Sequence, residues 1–314
     1  MKQVARPKGA QVGMVVHPDA AGIDVGAHEV YVAVPEDRDE RAVRCFGKFT
    51  EDLYEVARWL KQCRVRTVAM ESTGVYWIPL YQILESWGIA VCLVNAAHVR
   101  HVPGRKSDVQ DCRWLQLLHQ AGLLRASFRP PPAICTLRTL LRHREALTAN
   151  ASSHVLRMHK ALELMNLQVQ HVISDITGVS GLAILDAILA GERGPERLAE
   201  LRDRRVRASA DTMARSLVGD YRAEHLFTLR QSLEFFRFYQ SQIAACDRQI
   251  EQHLLSLEER AAPGGGPEPP PARKPRPRQP DFDLHHHLHR ALGVDLTEVP
   301  GINVIRSTSF YGLS

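Results

Sequence analysis

Three consecutive prolines, Pro130-Pro131-Pro132, divide this chain into two stretches that cannot share one continuous helix. Proline has no backbone N–H, and the residue before it is driven out of the α region. A helix can begin at such a point but not pass through it. The hydrophobic spacing changes at the same place. Before the prolines, short apolar runs alternate with helical patterns; after them, apolar residues recur at steps of three and four over long distances. With 314 residues the chain is long enough for two domains, or for one domain and an extension.

The first stretch, residues 20–128, alternates strand and helix signals. "AAGID" and "EVYVAVP" are strand-like, and "RAVRCFGKF" alternates as a third strand. Thr50 stands as an N-cap, with Glu51 and Asp52 in the first turn of a helix that runs to about Cys63. "TVAME" is a short buried strand, "YWIPLYQILESWG" a helix closed by Gly88, and "IAVCLVN" another strand. From about Asp108, "DVQDCRWLQLLHQAG" is a helix that stops at Gly122. Three strands, then helix, strand, helix, strand, helix, is the element order of an RNase H-like (RuvC-like) α/β domain.

The second stretch, residues 129–260, is helical. Ile134, Leu137, Leu141, Arg144, Thr148, Ala151, Val155, Met158, Leu162 and Met165 follow a period of 3.5. Leu226, Leu229, Leu233, Phe236, Gln240, Ile243, Asp247, Ile250, Leu254 and Leu257 do the same. Two such helices predict a coiled-coil hairpin or a dimerising bundle, although an ordinary core stripe has the same spacing. Between them, residues 171–220 break at Gly178, Gly181 and Gly191–Pro195 into shorter helices. The segment 261–283 is a linker: eight of the eighteen prolines fall in 261–280, too many to pack a core. Residues 1–19 are expected to be a flexible N-terminus, and 284–314 are too few for an independent domain.

Net charge is +5, and it is concentrated. From Arg100 to Glu145 there are nine Lys and Arg against three acids. A local surplus of that size suits a polyanion, because such surfaces work by displacing counterions. Arg100, Arg105, Lys106 and Arg113 are the expected nucleic-acid contacts within it. None of the six cysteines forms a C-x-x-C pair, which reads as reduced thiols in a cytoplasmic protein. No signal peptide opens the chain and no apolar run reaches 18 residues, so no membrane partner is expected.

Four acids carry the chemistry. Asp24 interrupts the apolar run "AGIDV", where an unpaired charge is costly. Glu71 ends the strand "TVAME" before a small-residue turn, the place where α/β sheets put functional side chains. Asp108 and Asp111 are spaced i, i+3 at a helix start and share one face. Singly, each also has a structural reading: a strand–turn acid, a solvated capping acid, or a pair that favours the helix dipole. In this order, they predict one cage of carboxylate oxygens, which needs a hard divalent cation such as Mg²⁺ or Mn²⁺. Two such ions roughly 4 Å apart activate a nucleophile and stabilise the leaving oxygen of a phosphodiester.

The blocks "GIDVGAHEVYVAV", "AMESTGVYWIPLYQIL", "VNAAHVRHVPGRKSDVQDCRWLQLL" and "DITGVSGLAIL" together resemble the DEDD transposases of the bridge-RNA-guided insertion sequences, relatives of the Piv-type DNA invertases. The likeness runs from about residue 20 to about residue 305, and the GRKSDVQD and ESTGVYW blocks are the specific ones. It implies a RuvC-like domain whose four metal-binding acids fall on Asp24, Glu71, Asp108 and Asp111. It also implies a coiled-coil region, homo-oligomeric assembly, and a noncoding bridge RNA that pairs with donor and target DNA. "TEVPGINVI" is similar to the opening of the family's C-terminal transposase domain, and the chain is expected to be truncated within it. Ser307, Ser309 and Ser314 sit in no matching motif, so none is carried over as the family's serine nucleophile.

The expected function is therefore a transposase or site-specific recombinase that uses metal-dependent phosphodiester cleavage and strand exchange at insertion-sequence ends. The alternatives are an inactive, nucleic-acid-binding and oligomerising remnant, and a RuvC-type branched-DNA nuclease. An actin-like ATPase would need Gly-rich phosphate turns that the sequence lacks. His285, His286, His287 and His289 read as a solvated helix start rather than a metal site. Tyr76 and Trp77 are expected to pack rather than stack on bases.

Overall fold

The computed structural model describes residues 15–72, 74–95, 108–257, 280–292 and 295–299. The chain divides into two compact units, Met1–Arg129 and Pro130–Ser314, so the boundary falls at the prolines. The expectations for the flexible N-terminus, for most of the proline-rich linker and for a truncated C-terminal end lie outside the described residues, as do Arg100, Arg105 and Lys106.

The first unit is built on one five-stranded sheet. Its strands are β1 (Ala20–Val25), β2 (Val30–Ala33), β3 (Val43–Phe46), β4 (Thr67–Glu71) and β5 (Ala90–Val94), in the order β3-β2-β1-β4-β5. The first three strands form an antiparallel meander, and β4 and β5 join parallel to β1. Helices α1 (Thr50–Gln62) and α2 (Ile78–Ser86) make the crossovers, and α3 (Asp108–Gln120) follows β5. This mixed sheet and element order fit an RNase H-like domain.

Strand periodicity assigns the two faces. Ala21, Ile23, Val25, Val68 and Met70 enter the larger core with Leu53, Val56 and Leu60 of α1 and Leu80 and Leu84 of α2. The alternate residues face α3, where Ala69, Val94 and Leu115 form a smaller core. Gly88 and Gly122 close α2 and α3 with φ of +66° and +68°, a region that suits glycine. The start of α1 differs from the sequence reading by one position. Phe49 is the N-cap, and Asp52 Oδ2 accepts its backbone N–H at 2.9 Å, so Thr50 lies inside the first turn.

The second unit is a helical hairpin with a cap of short helices. Its arms are α4 (Pro132–Leu164) and α8 (Ala223–Leu255). Between them come α5 (Val179–Ala190), α6 (Pro195–Glu200) and α7 (Ala210–Ser216). His253 meets the Ala133 carbonyl at 2.6 Å, and the ring of His154 stacks on Phe235 at 4.9 Å. Rising numbers on one arm match falling numbers on the other, so the arms are antiparallel. The two 3.5-period stripes face each other within one chain and form its core. Arg144 and Asp247, two of the polar exceptions in those stripes, are each other's partners: Nε to Oδ1 is 2.5 Å and Nη2 to Oδ2 is 3.2 Å, both side chains buried.

Helix α9 (Leu284–Leu292) returns to the open end of the hairpin, where Leu284 and Leu288 pack with Leu137, Leu141, Ile250 and Leu254. That placement corrects the reading of the histidine run as a solvated start. His285 and His289, four residues apart, are buried on the same inward side, and His285 Nε2 lies 2.8 Å from Asp295 Oδ1. The packed leucines turn their histidine neighbours inward with them.

Candidate functional site

The register of the sheet explains how distant acids meet. Ile23 pairs with Met70 in the parallel β1–β4 ladder, so Asp24 and Glu71 stand level, one step further along. Both lie at the carboxyl ends of their strands. Both lie on the α3 face, since Asp24 follows Gly22 by two residues and Glu71 follows Ala69 by two.

Gly22 sets the distance to α3. A Cβ at that position would lie 2.1 Å from the Cys112 carbonyl oxygen and 2.3 Å from the Gln116 nitrogen. Only glycine lets the helix backbone rest on the strand this closely. At the other end of α3, the backbone N–H of Val16 and that of His17 both donate to the Gln120 carbonyl, and the Thr67 hydroxyl meets His119 Nε2 at 2.8 Å. The helix therefore runs opposite to β1, with its first turn over the strand's carboxyl end. That turn carries Asp108 and Asp111.

Asp24, Asp108 and Asp111 each offer a carboxylate oxygen, and these oxygens lie within 4.8 Å of one another. Among the described residues, this is the only cluster of three or more His, Cys, Asp or Glu side chains close enough to share an ion. Glu71 falls outside the 4.8 Å group, but its charge reaches Asp24. Burial, and then the charges of Asp108, Glu71 and Asp111, push the Asp24 carboxyl up from 3.8 to about 6. Behind the cluster, burial and the Asp24 charge raise the Cys112 thiol to about 12, so it remains a neutral packing group. The donor set is all carboxylate oxygen, and its members repel one another. That set fits a hard divalent cation, which would offset their repulsion.

Residues 21–167 match a family model described as Transposase, that of the IS110-type DEDD transposases. This supports an IS110-type DEDD transposase. The transposase match starts in β1, takes in the whole sheet and α3, and ends just past α4. It therefore contains all four acids and stops short of α8. A transposase domain of this kind implies DNA as partner and suggests divalent metal. No curated protein matches the chain.

The basic stretch is less uniform than its count suggests. Arg113 and Arg125 are exposed on the first unit, and Arg142 is exposed on the second. Arg144 is taken up by Asp247, and the Arg129 guanidinium lies 3.7 Å from the centroid of the Tyr81 ring and 3.6 Å from a Glu85 oxygen. Those two arginines serve packing, which the charge count cannot reveal. All six cysteines are free. No described helix is long and apolar enough to cross a membrane.

Sequence reasoning passed over Lys48. Its ammonium donates to the Gly26 carbonyl at 3.3 Å and to the Tyr76 carbonyl at 2.9 Å. It thus ties the turn after Asp24 to the turn after Glu71. Nothing in the local pattern "FGKFTED" signals this role, because both acceptors are backbone atoms more than twenty residues away.

Proposed function

We propose that this chain is a DNA transposase that cleaves and joins phosphodiester bonds at insertion-sequence ends, with divalent cations held by Asp24, Glu71, Asp108 and Asp111. The observation that carries this reading is the meeting of Asp24, Asp108 and Asp111 at one end of the sheet, inside the matched domain.

Asp24 shares the cluster with Asp108 and Asp111, and its ionisation responds to their charges and to that of Glu71. It would bridge from β1 toward α3, while Glu71 would act from the neighbouring strand. Asp108 and Asp111 would close the site from one helix face. A bound Mg²⁺ or Mn²⁺ would polarise the phosphate and lower the pKa of its attacking oxygen's proton. Arg113, exposed on α3 two residues beyond Asp111, would hold the phosphate backbone, together with Arg100, Arg105 and Lys106. The resemblance adds a noncoding RNA as the partner that specifies DNA, and assembly of several copies. Phe227, Phe235 and Phe238, exposed on α8, supply apolar surface for that assembly.

The test is Mn²⁺ binding by calorimetry, with Mg²⁺-dependent cleavage of DNA carrying the element's ends. Asp24→Asn and Asp108→Asn should each abolish cleavage and weaken Mn²⁺ binding at least tenfold, with the fold retained by circular dichroism. Unchanged Mn²⁺ affinity in both variants would refute the assignment.

A further inference from the structure

Tyr76 and Trp77 are neighbours in one turn, yet they behave differently. Trp77 is held: its Nε1 donates to the Gly74 carbonyl at 3.1 Å, and its ring meets Tyr81 edge-on at 5.7 Å. Tyr76 is 46% exposed, and Val75 beside it is 68% exposed. The turn is thus anchored through Trp77 and leaves Tyr76 at the surface. Gly74, at φ +57°, closes the turn in a conformation that side chains rarely adopt.

Lys48 completes the arrangement. The ammonium that joins the Gly26 and Tyr76 carbonyls also lies 5.3 Å from the centroid of the Tyr76 ring. An exposed aromatic ring with a cation at its side is therefore fixed to the two turns that leave Asp24 and Glu71. A rigid aromatic surface of this kind accepts any base by its face, and a nearby cation adds to the attraction. A base inside a duplex offers only its edges, so the partner must be unpaired.

We infer that Tyr76, steadied by Lys48, is a stacking platform for an unpaired nucleobase next to the phosphate held at the acidic cluster. This inference rests on the nucleic-acid reading above. The base belongs to a single-stranded or splayed segment of DNA or of RNA, and the two share the same stacking chemistry.

The experiment is fluorescence anisotropy with single-stranded DNA, single-stranded RNA and duplex DNA of mixed sequence, in Ca²⁺ to prevent cleavage. A second set of single strands carries 2-aminopurine as the stacking reporter. Tyr76→Ala should weaken single-strand binding about tenfold and remove 2-aminopurine quenching. Tyr76→Phe should stay within about twofold of wild type, since stacking uses the ring and not the hydroxyl. Lys48→Met should resemble Tyr76→Ala, and duplex binding should change less than about twofold in every variant. Loss confined to the DNA arm or to the RNA arm identifies the source of the base. Equal affinity and equal quenching in wild type and Tyr76→Ala would overturn the platform. The same comparison in an Asp24→Asn background separates the two ideas. A Tyr76 effect in both backgrounds, with Mn²⁺ affinity unchanged by Asp24→Asn, keeps the platform and rejects the metal site, while Mn²⁺ binding and cleavage lost in Asp24→Asn with no Tyr76 effect in either background do the reverse.

Discussion

Each unit of this chain brings charged side chains together, and the two do it on opposite terms. At the end of the sheet, Asp24, Asp108 and Asp111 bring like charges together, with Glu71 close enough to add its own. Between the long helices, Arg144 and Asp247 bring opposite charges together and satisfy each other with two hydrogen bonds. The second arrangement is complete without a ligand. The first is not balanced in this way: its members repel one another, and Asp24 responds by holding its proton more tightly. A pair of opposite charges marks architecture, whereas a cluster of acids that repel one another marks a place suited to a cation.

The sharpest way to break that contrast is to make the hairpin resemble the site. Asp247→Ala removes the carboxylate that faces the buried Arg144 guanidinium, and should cost about 3–5 kcal/mol in urea unfolding. Replacing both partners with leucine should recover most of that loss, because the stripes around them are apolar. If the single and double variants are equally unstable, the pair is not acting as a charge pair.

Gly22→Ala tests how the acidic site is assembled. The new methyl group would meet backbone atoms of α3, which cannot move aside like a flexible side chain. A loss of about 2–3 kcal/mol is expected, together with weaker divalent binding as the first turn of α3 shifts. Wild-type stability and Mn²⁺ affinity in this variant would mean that the helix is not seated on β1 as described.

The acidity of Asp24 gives a third test, with a defined sign. Its carboxyl holds a proton up to about 6 in the folded protein, against 3.8 ordinarily. The folded state therefore binds more protons in that window, and metal-free stability falls as pH rises from about 4 through about 6. The loss should be about 2 kcal/mol, below what the full shift would give because water screens the partly exposed carboxyl; it should be absent in Asp24→Asn and reversed above pH 6 by millimolar Mg²⁺. Parallel pH profiles for wild type and variant would show that Asp24 is not strained by its neighbours.

The smallest effect belongs to an exposed pair in the helical unit. Arg237 Nη2 and Asp186 Oδ2 are 2.6 Å apart, with both side chains about half exposed. Asp186→Asn should change the unfolding free energy by less than about 1 kcal/mol, because water screens the pair. A loss matching that of Asp247→Ala would show that burial is not what separates the two pairs.

Much of the fold was legible in the sequence. Period-two runs gave the strands in their correct order, and the 3.5-period stripes gave both long helices, since each pattern follows from one element burying one face. The candidate acids were legible for a similar reason: a carboxylate within an apolar run stands out wherever the strand goes. The tertiary structure decided what depends on distance across the fold. It settled that Gly22 brings α3 against β1, so that three acids meet while Glu71 stands just beyond them. It removed Arg129 and Arg144 from the basic stretch, turned His285 and His289 inward, and left Tyr76 outside while a hydrogen bond holds its neighbour Trp77. Local sequence fixes the direction in which a side chain leaves the backbone. Only the packing of one element on another decides what it meets there.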